Sequence, residues 1–293
     1  ISDFKTIRFL RTYLTNWEQP VVLRFAKLQL VGSQWRKYEE SIFQSGLNEV
    51  SESSESDIQI SVVSIEENSI GSENKSPYVV PPGIPRDIDN TTIVQRRTNE
   101  QSLQICVDDL SDGDGRAIFK ESNFDLINYG RIKMFIHAEP KDGEILDDNE
   151  INAFLRFGSD YENNYYEIEL PLKITRPELL NLSSSNLSRL VWPQENEINF
   201  SIDELLSLKS ERNREKIDIN TPFTKMSANG RYKMRIKGRP SLGSILNFMI
   251  GIKNPLSEDR ASKSACLWFN ELRLTDFDKT KGWAANASLN VKL

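Results

Sequence analysis

Apolar residues fall at every second position in a succession of short runs, the spacing that sends alternate side chains to opposite faces of a β-strand. Ile58, Ile60 and Val62 open the series and lead on to Ile65. Leu103, Ile105 and Val107 alternate with Gln104, Cys106 and Asp108, and Ile132, Met134 and Ile136 alternate with Lys133, Phe135 and His137. Residues 153–157 and 165–172 are separated by a stretch of Gly, Ser, Asp and Asn that suits a hairpin turn, and Tyr166, Ile168, Leu170 and Leu172 share one face. Further runs lie at 232–237, 245–252 and 264–278. Such alternation predicts strands with one wet face, and no regular βα spacing appears. The expected fold is therefore all-β: an antiparallel, jelly-roll-like β-sandwich over residues 58–278 with one short helix.

That helix breaks the period of two. Ser201 is placed as an N-cap, Glu204 stands three residues on as in a capping box, and Leu205, Leu206 and Leu208 supply an apolar stripe ending near Arg212. Residues 77–89, rich in Pro and Gly, predict an extended, polyproline-like crossing around Pro81-Pro82.

One pattern occurs twice. Residues 267–274 (Leu-Trp-Phe-Asn-Glu-Leu-Arg-Leu) repeat the Leu, Phe, Leu and Leu of residues 23–30 (Leu-Arg-Phe-Ala-Lys-Leu-Gln-Leu), and each copy follows another apolar strand. In both, the apolar residues switch strand parity midway, at Ala26-Lys27 and at Asn270-Glu271, which predicts a bulge or a strand changing cores. Chance is the competing reading, since strands draw on a small apolar alphabet. The repeat predicts that Leu267, Phe269, Leu272 and Leu274 lie in the sandwich core. It also predicts that residues 1–38 are the last strands of a preceding β module. Residues 39–57 are rich in Ser and Glu and read as a linker.

After residue 278 a short lead-in gives way to residues 283–293, where Trp283, Ala285, Ala287, Leu289, Val291 and Leu293 alternate with a mostly polar set. A membrane β-barrel strand has this pattern, with those six side chains facing lipid and an aromatic at the interface. An ordinary edge strand would look the same. Residues 279–293 are read as the lead-in and first strand of such a barrel.

Composition narrows the function. The 293 residues are 38% hydrophobic and 27% charged, ordinary for a globular chain, and the net charge is -6. No basic cluster interleaved with aromatics is present, so a nucleic-acid partner is set aside. No apolar run reaches the length of a membrane helix. The chain opens on Ile1 without a charged and apolar leader, so any targeting signal is expected outside this sequence. Cys106 and Cys266 lack metal-ligand spacing. They read as packed strand thiols or, in an oxidising compartment, as a pair.

Candidate chemistry is sparse. Residues 110–121 echo a calcium-binding loop, with Asp112, Asp114, Gly115 and Glu121 at the third, fifth, sixth and twelfth places, but Leu110 occupies the first ligand position, and a hairpin turn is expected instead. Asp147, Asp148 and Glu150 read as a solvated turn. His137 is the single histidine, which rules out a multi-histidine metal site and a His-based triad. It is expected as a hydrogen-bonded strand residue. No motif selects a carboxylate pair for glycoside hydrolysis among the 43 acidic residues.

Several blocks resemble the SprA (Sov) family, the outer-membrane translocons of the type IX secretion system of Bacteroidetes. They are Pro20-Val21-Val22-Leu23-Arg24-Phe25 through Trp35-Arg36, Tyr78-Val79-Val80-Pro81-Pro82-Gly83-Ile84, Asn99-Glu100-Gln101-Ser102-Leu103, residues 131–139, Trp192-Pro193-Gln194-Glu195-Asn196-Glu197, and residues 267–278 running into Gly282-Trp283-Ala284-Ala285. The resemblance covers nearly the whole chain in the family's block order, with no match for residues 39–57. It implies an internal fragment of a very large barrel that exports folded proteins and, in gliding species, serves motility. It supplies no catalytic residues, cofactor or metal ligands. The implied partners are the rest of the same translocon chain, secreted cargo and accessory outer-membrane subunits, with membrane contact through the C-terminal strand. The implied location is the outer membrane. Long excursions from such barrels are normally extracellular, and the periplasmic side is the alternative. The competing expectation is a carbohydrate-binding jelly roll with Tyr161, Tyr165 and Trp192 as a stacking platform; a glycosidase is third.

Overall fold

The computed structural model describes residues 35–38, 40, 42, 58–71, 75–86, 88–89, 96–141, 144–180 and 186–279. Its strands are β1 (Arg36–Lys37), β2 (Ile58–Ser64), β3 (Ile88–Asp89), β4 (Arg96–Arg97), β5 (Gln101–Leu110), β6 (Gly115–Phe124) and β7 (Tyr129–Pro140). They continue with β8 (Asn152–Gly158), β9 (Tyr165–Pro171), β10 (Ile198–Ser201), β11 (Phe223–Met226), β12 (Lys233–Lys237), β13 (Ile245–Lys253) and β14 (Lys263–Phe277). The helices are α1 (Ile65–Asn68), α2 (Leu187–Val191) and α3 (Ile202–Arg214).

Two antiparallel sheets hold twelve of these strands, in the orders β1-β6-β13-β8-β9-β12-β11 and β10-β7-β14-β5-β2, and β3 pairs with β4 separately. Eight strands cross between the sheets in the sequence of a double Greek key. One sheet contains β5-β14-β7-β10 and the other β6-β13-β8-β9, the connectivity of a jelly roll. The remaining strands extend its edges.

The main core fills the space between the sheets, with Ile105 and Val107 from β5, Ile132, Met134, Ile136 and Ala138 from β7, Leu155 and Phe157 from β8, and Tyr166, Ile168 and Leu170 from β9. Leu267 is fully buried and Phe269 nearly so. The parity switch in β14 is a bulge: its register against β7 shifts between Asn270 and Arg273, and Glu271 takes a left-handed φ of 54°. The extra residue decides the fate of the next two leucines. Leu274 pairs with Ile132 and packs on the core, whereas Leu272 is 40% exposed. The expectation that Leu272 is a core residue is thereby corrected. It lies in the bulge, where the side chain is no longer held by the ladder.

Other expectations are revised. Arg36 and Lys37 pair with Phe119 and Ile118 of β6, the Tyr38 and Ile42 amides donate to Ala117 and Gly115, and Ile42 is buried. Residues 36–38 and Ile42 thus line the edge of the sandwich, so a module boundary at residue 38 does not separate them from it. The helix forms, but Ser201 makes no side-chain cap and the Glu204 carboxylate accepts from the Ala228 amide instead of closing a box. Its buried face is Ile202, Leu205, Leu208 and Arg212, while Leu206 turns outward. Short helices α1 and α2 join it. The first copy of the repeat, most of the 39–57 segment and the alternating stretch with Trp283, Ala285, Ala287, Leu289, Val291 and Leu293 lie outside the described residues.

Candidate functional site

The strands expected to have a wet face are buried on both sides at the centre of each sheet, and the outer faces carry the polar clusters of the molecule. On the seven-stranded sheet, β9 turns Ile168 inward and Glu167 and Glu169 outward, yet both carboxylates are buried. Lys253 Nζ lies 2.6 Å from Glu167 and 2.9 Å from Glu169. Arg156 donates to Glu167 at 2.7 Å, and Arg235 also donates to it. Burial alone would push the Glu167 carboxyl up, but Lys253, Arg156 and Arg235 outweigh that and hold it well below the usual carboxylate range. Phe154 and Tyr165 cover the cations, with the Arg156 guanidinium 4.1 Å from the Tyr165 ring centre. Gly251 lies beneath this layer, because a Cβ there would collide with the Arg116 carbonyl and the Phe154 ring.

On the five-stranded sheet, the outward side chains of β7 and β14 form an aromatic bed. Phe135, His137 and Trp268 meet Tyr78 and Trp192, with the His137 and Trp268 ring centres 4.0 Å apart. The Pro-rich crossing and α2 lie over it as one layer. Trp192 Nε1 donates to the Val79 carbonyl at 2.7 Å, and the Ser188 hydroxyl donates to Val80 at 2.6 Å. His137 Nδ1 sits 2.7 Å from the Val191 carbonyl, so that nitrogen carries the proton. Its Nε2 lies 3.3 Å from Glu139, whose carboxylate accepts the Ser76 amide. The Tyr78 hydroxyl meets Ser102 at 2.8 Å and Glu100 at 3.0 Å, and Asn270 donates to it. Burial foremost pushes the Tyr78 phenol far above its ordinary value.

Beside this bed Cys106 and Cys266, direct register partners on β5 and β14, are joined by a disulfide. The packed-thiol reading is corrected: the two Cα atoms stand 4.1 Å apart across adjacent strands, close enough for a bond that their distance in sequence concealed. A polar cavity opens over the bond, lined by Gln59, Ser61, Lys75, Gln104, Glu139 and Lys141.

The expected stacking platform does not form. Trp192 and Tyr165 are buried, and Tyr161 packs against Tyr38 and Phe119. In the loop between β5 and β6, Asp112 accepts from Ser257 while Asp114 binds Arg116, so their carboxylates do not converge on a common centre. Asp147 pairs with Arg176, Asp148 accepts the Ile174 amide and Glu150 pairs with Lys263. Among the described residues no three His, Cys, Asp or Glu side chains are grouped to hold a metal. The charge layer was missed in the sequence because its five members sit on four strands, and only the pairing of β8, β9, β12 and β13 brings them together.

A family described as motility related/secretion protein matches residues 1–293, the whole chain. No curated protein matches it.

Proposed function

This chain belongs to the SprA_N family of motility related/secretion proteins, and on that premise we propose that it is a non-catalytic domain of an outer-membrane, protein-conducting β-barrel of type IX secretion. Its partners are the rest of the same translocon chain, secreted cargo and accessory outer-membrane subunits. The domain stands on the extracellular side, and residues 283–293 enter the barrel wall.

The observation that carries this reading is the position of β14. It runs through the middle of its sheet between β5 and β7 and is tied to β5 by the disulfide. A strand held this way delivers the following chain from a fixed point and direction, which suits a domain seated on a membrane wall. The disulfide fits an extracytoplasmic, oxidising compartment. Both outer faces carry buried clusters, the charges of one paired with each other and the rings of the other packed together, which favours a rigid wall or cap over a reaction centre.

The test is excision of residues 58–278 from the parent protein with a short linker left in place. Export of cargo should be lost or become unregulated while the barrel still assembles. Wild-type export from the excised protein would contradict the reading.

A further inference from the structure

Four large apolar side chains are exposed at one end of the sandwich: Phe124 (44%), Ile127 (61%), Leu246 (43%) and Phe277 (52%). Three chain segments place them there. The loop between β6 and β7 crosses from one sheet to the other, its Leu126 amide donates to the Leu242 carbonyl just before β13, and the Asp278 amide donates to the Asn128 carbonyl at the end of β14. Ile127 Cδ1 stands over Gly243. Phe277 packs edge-on to Tyr129 at 5.2 Å, and Phe124 packs edge-on to Phe248 at 5.3 Å. The rings are thus held in place while one side of each faces outward. Exposed apolar residues scattered singly are ordinary, but four on three adjoining segments at one end form a patch.

The same end releases the chain. From Phe277 to Trp283 the sequence can span at most about 20 Å, at roughly 3.3–3.6 Å per residue. If Trp283 lies at the lipid interface, as the reading of 283–293 as a barrel strand requires, the end of the sandwich cannot stand far above the bilayer. We infer that this end is a membrane-contact surface, with Phe124, Ile127, Leu246 and Phe277 inserted into the headgroup region beside the barrel. Phe, Leu and Ile gain from leaving water there, and the partner is the lipid surface itself. Asp125, Asp276, Asp278 and Lys279 flank these side chains along the chain. Asp125 accepts the Ile127 amide and fixes the tip of the loop.

The inference rests on the barrel reading, and the experiment separates the two. Both natural cysteines are bonded to each other, so one added cysteine gives a unique labelling site in this chain. Ile127→Cys, Leu246→Cys and Phe277→Cys would each carry an environment-sensitive dye in the parent protein, reconstituted into phosphatidylcholine–phosphatidylethanolamine vesicles. Glu258→Cys, in the loop at the opposite end, is the aqueous control, and Val291→Cys reports on the barrel strand. The expected result is blue-shifted emission and several-fold weaker quenching by aqueous iodide at 127, 246 and 277, with Glu258→Cys unshifted. Lipid exposure at 291 combined with quenching at 127, 246 and 277 equal to that at 258 would overturn the inference and leave the barrel reading standing. Aqueous behaviour at 291 would overturn both. Weak iodide quenching at 127, 246 and 277 together with no quenching by nitroxide-labelled lipid would assign the patch to a protein partner and overturn the membrane contact.

Discussion

Cys266 on β14 faces Cys106 on β5 across the five-stranded sheet, and the bond between them closes a loop with a sequence separation of 160 residues. That loop contains most of the sandwich, so the bond restricts the unfolded chain over more than half of its length.

Reduction, or replacement of both residues by Ser, is expected to lower stability by about 2–5 kcal/mol. Urea unfolding of oxidised and reduced protein checks this. Equal midpoints would show that the bond does not cross-link the native fold.

Glu167 carries a different share of the stability. Glu167→Gln removes one of the two carboxylates facing Arg156, Arg235 and Lys253, leaving buried cations under-compensated at an expected cost of about 3–5 kcal/mol. Because the folded-state pKa is depressed, the stabilisation is fully present above the ordinary carboxylate value of about 4.3 and is lost as pH falls below it towards the depressed folded value. Unfolding midpoints measured between neutral and acid pH should fall more steeply below that value for wild type than for Glu167→Gln. Parallel acid profiles would contradict the role given to this carboxylate.

Trp192→Phe keeps a ring on the aromatic bed but strips the Val79 carbonyl of its donor. A partly buried carbonyl left without its donor costs about 1 kcal/mol. Because α2 and the Pro-rich crossing are joined through this contact, amide exchange should accelerate at Ser76, Tyr78, Val79 and Val80 before it does in β7 or β14. Unchanged exchange at those residues would show that the layer is held by other contacts.

Leu267 and Leu272 stand on the same strand, the first ahead of the bulge and the second within it. Leu267→Ala should cost about 2–5 kcal/mol, and Leu272→Ala should stay within about 0.5 kcal/mol of wild type, as exposed positions do. Denaturant midpoints of the two variants give the comparison; a large loss at Leu272 would mean that the bulge buries it.

These residues mark how far the sequence could be read. Alternation at Leu103, Ile132 and Tyr166 located the strands, and the parity switch at Asn270-Glu271 located the bulge, because both are properties of contiguous residues. Leu272 was assigned to the core because parity alone does not say which residue of a bulge is extruded. Long-range pairing was not legible. Nothing near Cys106 indicates Cys266, and Glu167 meets Arg235 and Lys253 only after three hairpins and crossovers have formed. The wet-face expectation failed for the same reason: charged outward positions on β9 look solvated until the opposite charges on neighbouring strands are known. Trp192 looked like a glycan platform because burial of its ring depends on Tyr78 and Trp268, both distant in sequence.

The central claim, that this sandwich is joined to a membrane barrel, is tested most directly by substitutions of opposite parity in residues 283–293 of the parent protein. Heat-modifiable barrel assembly and cargo export would be measured for Leu289→Arg, Val291→Arg and Asn290→Arg. Arg on the lipid face costs about 2–4 kcal/mol near the bilayer midplane. The account predicts defective assembly and export for Leu289→Arg and Val291→Arg and near-normal behaviour for Asn290→Arg. Equal tolerance at all three positions would contradict it.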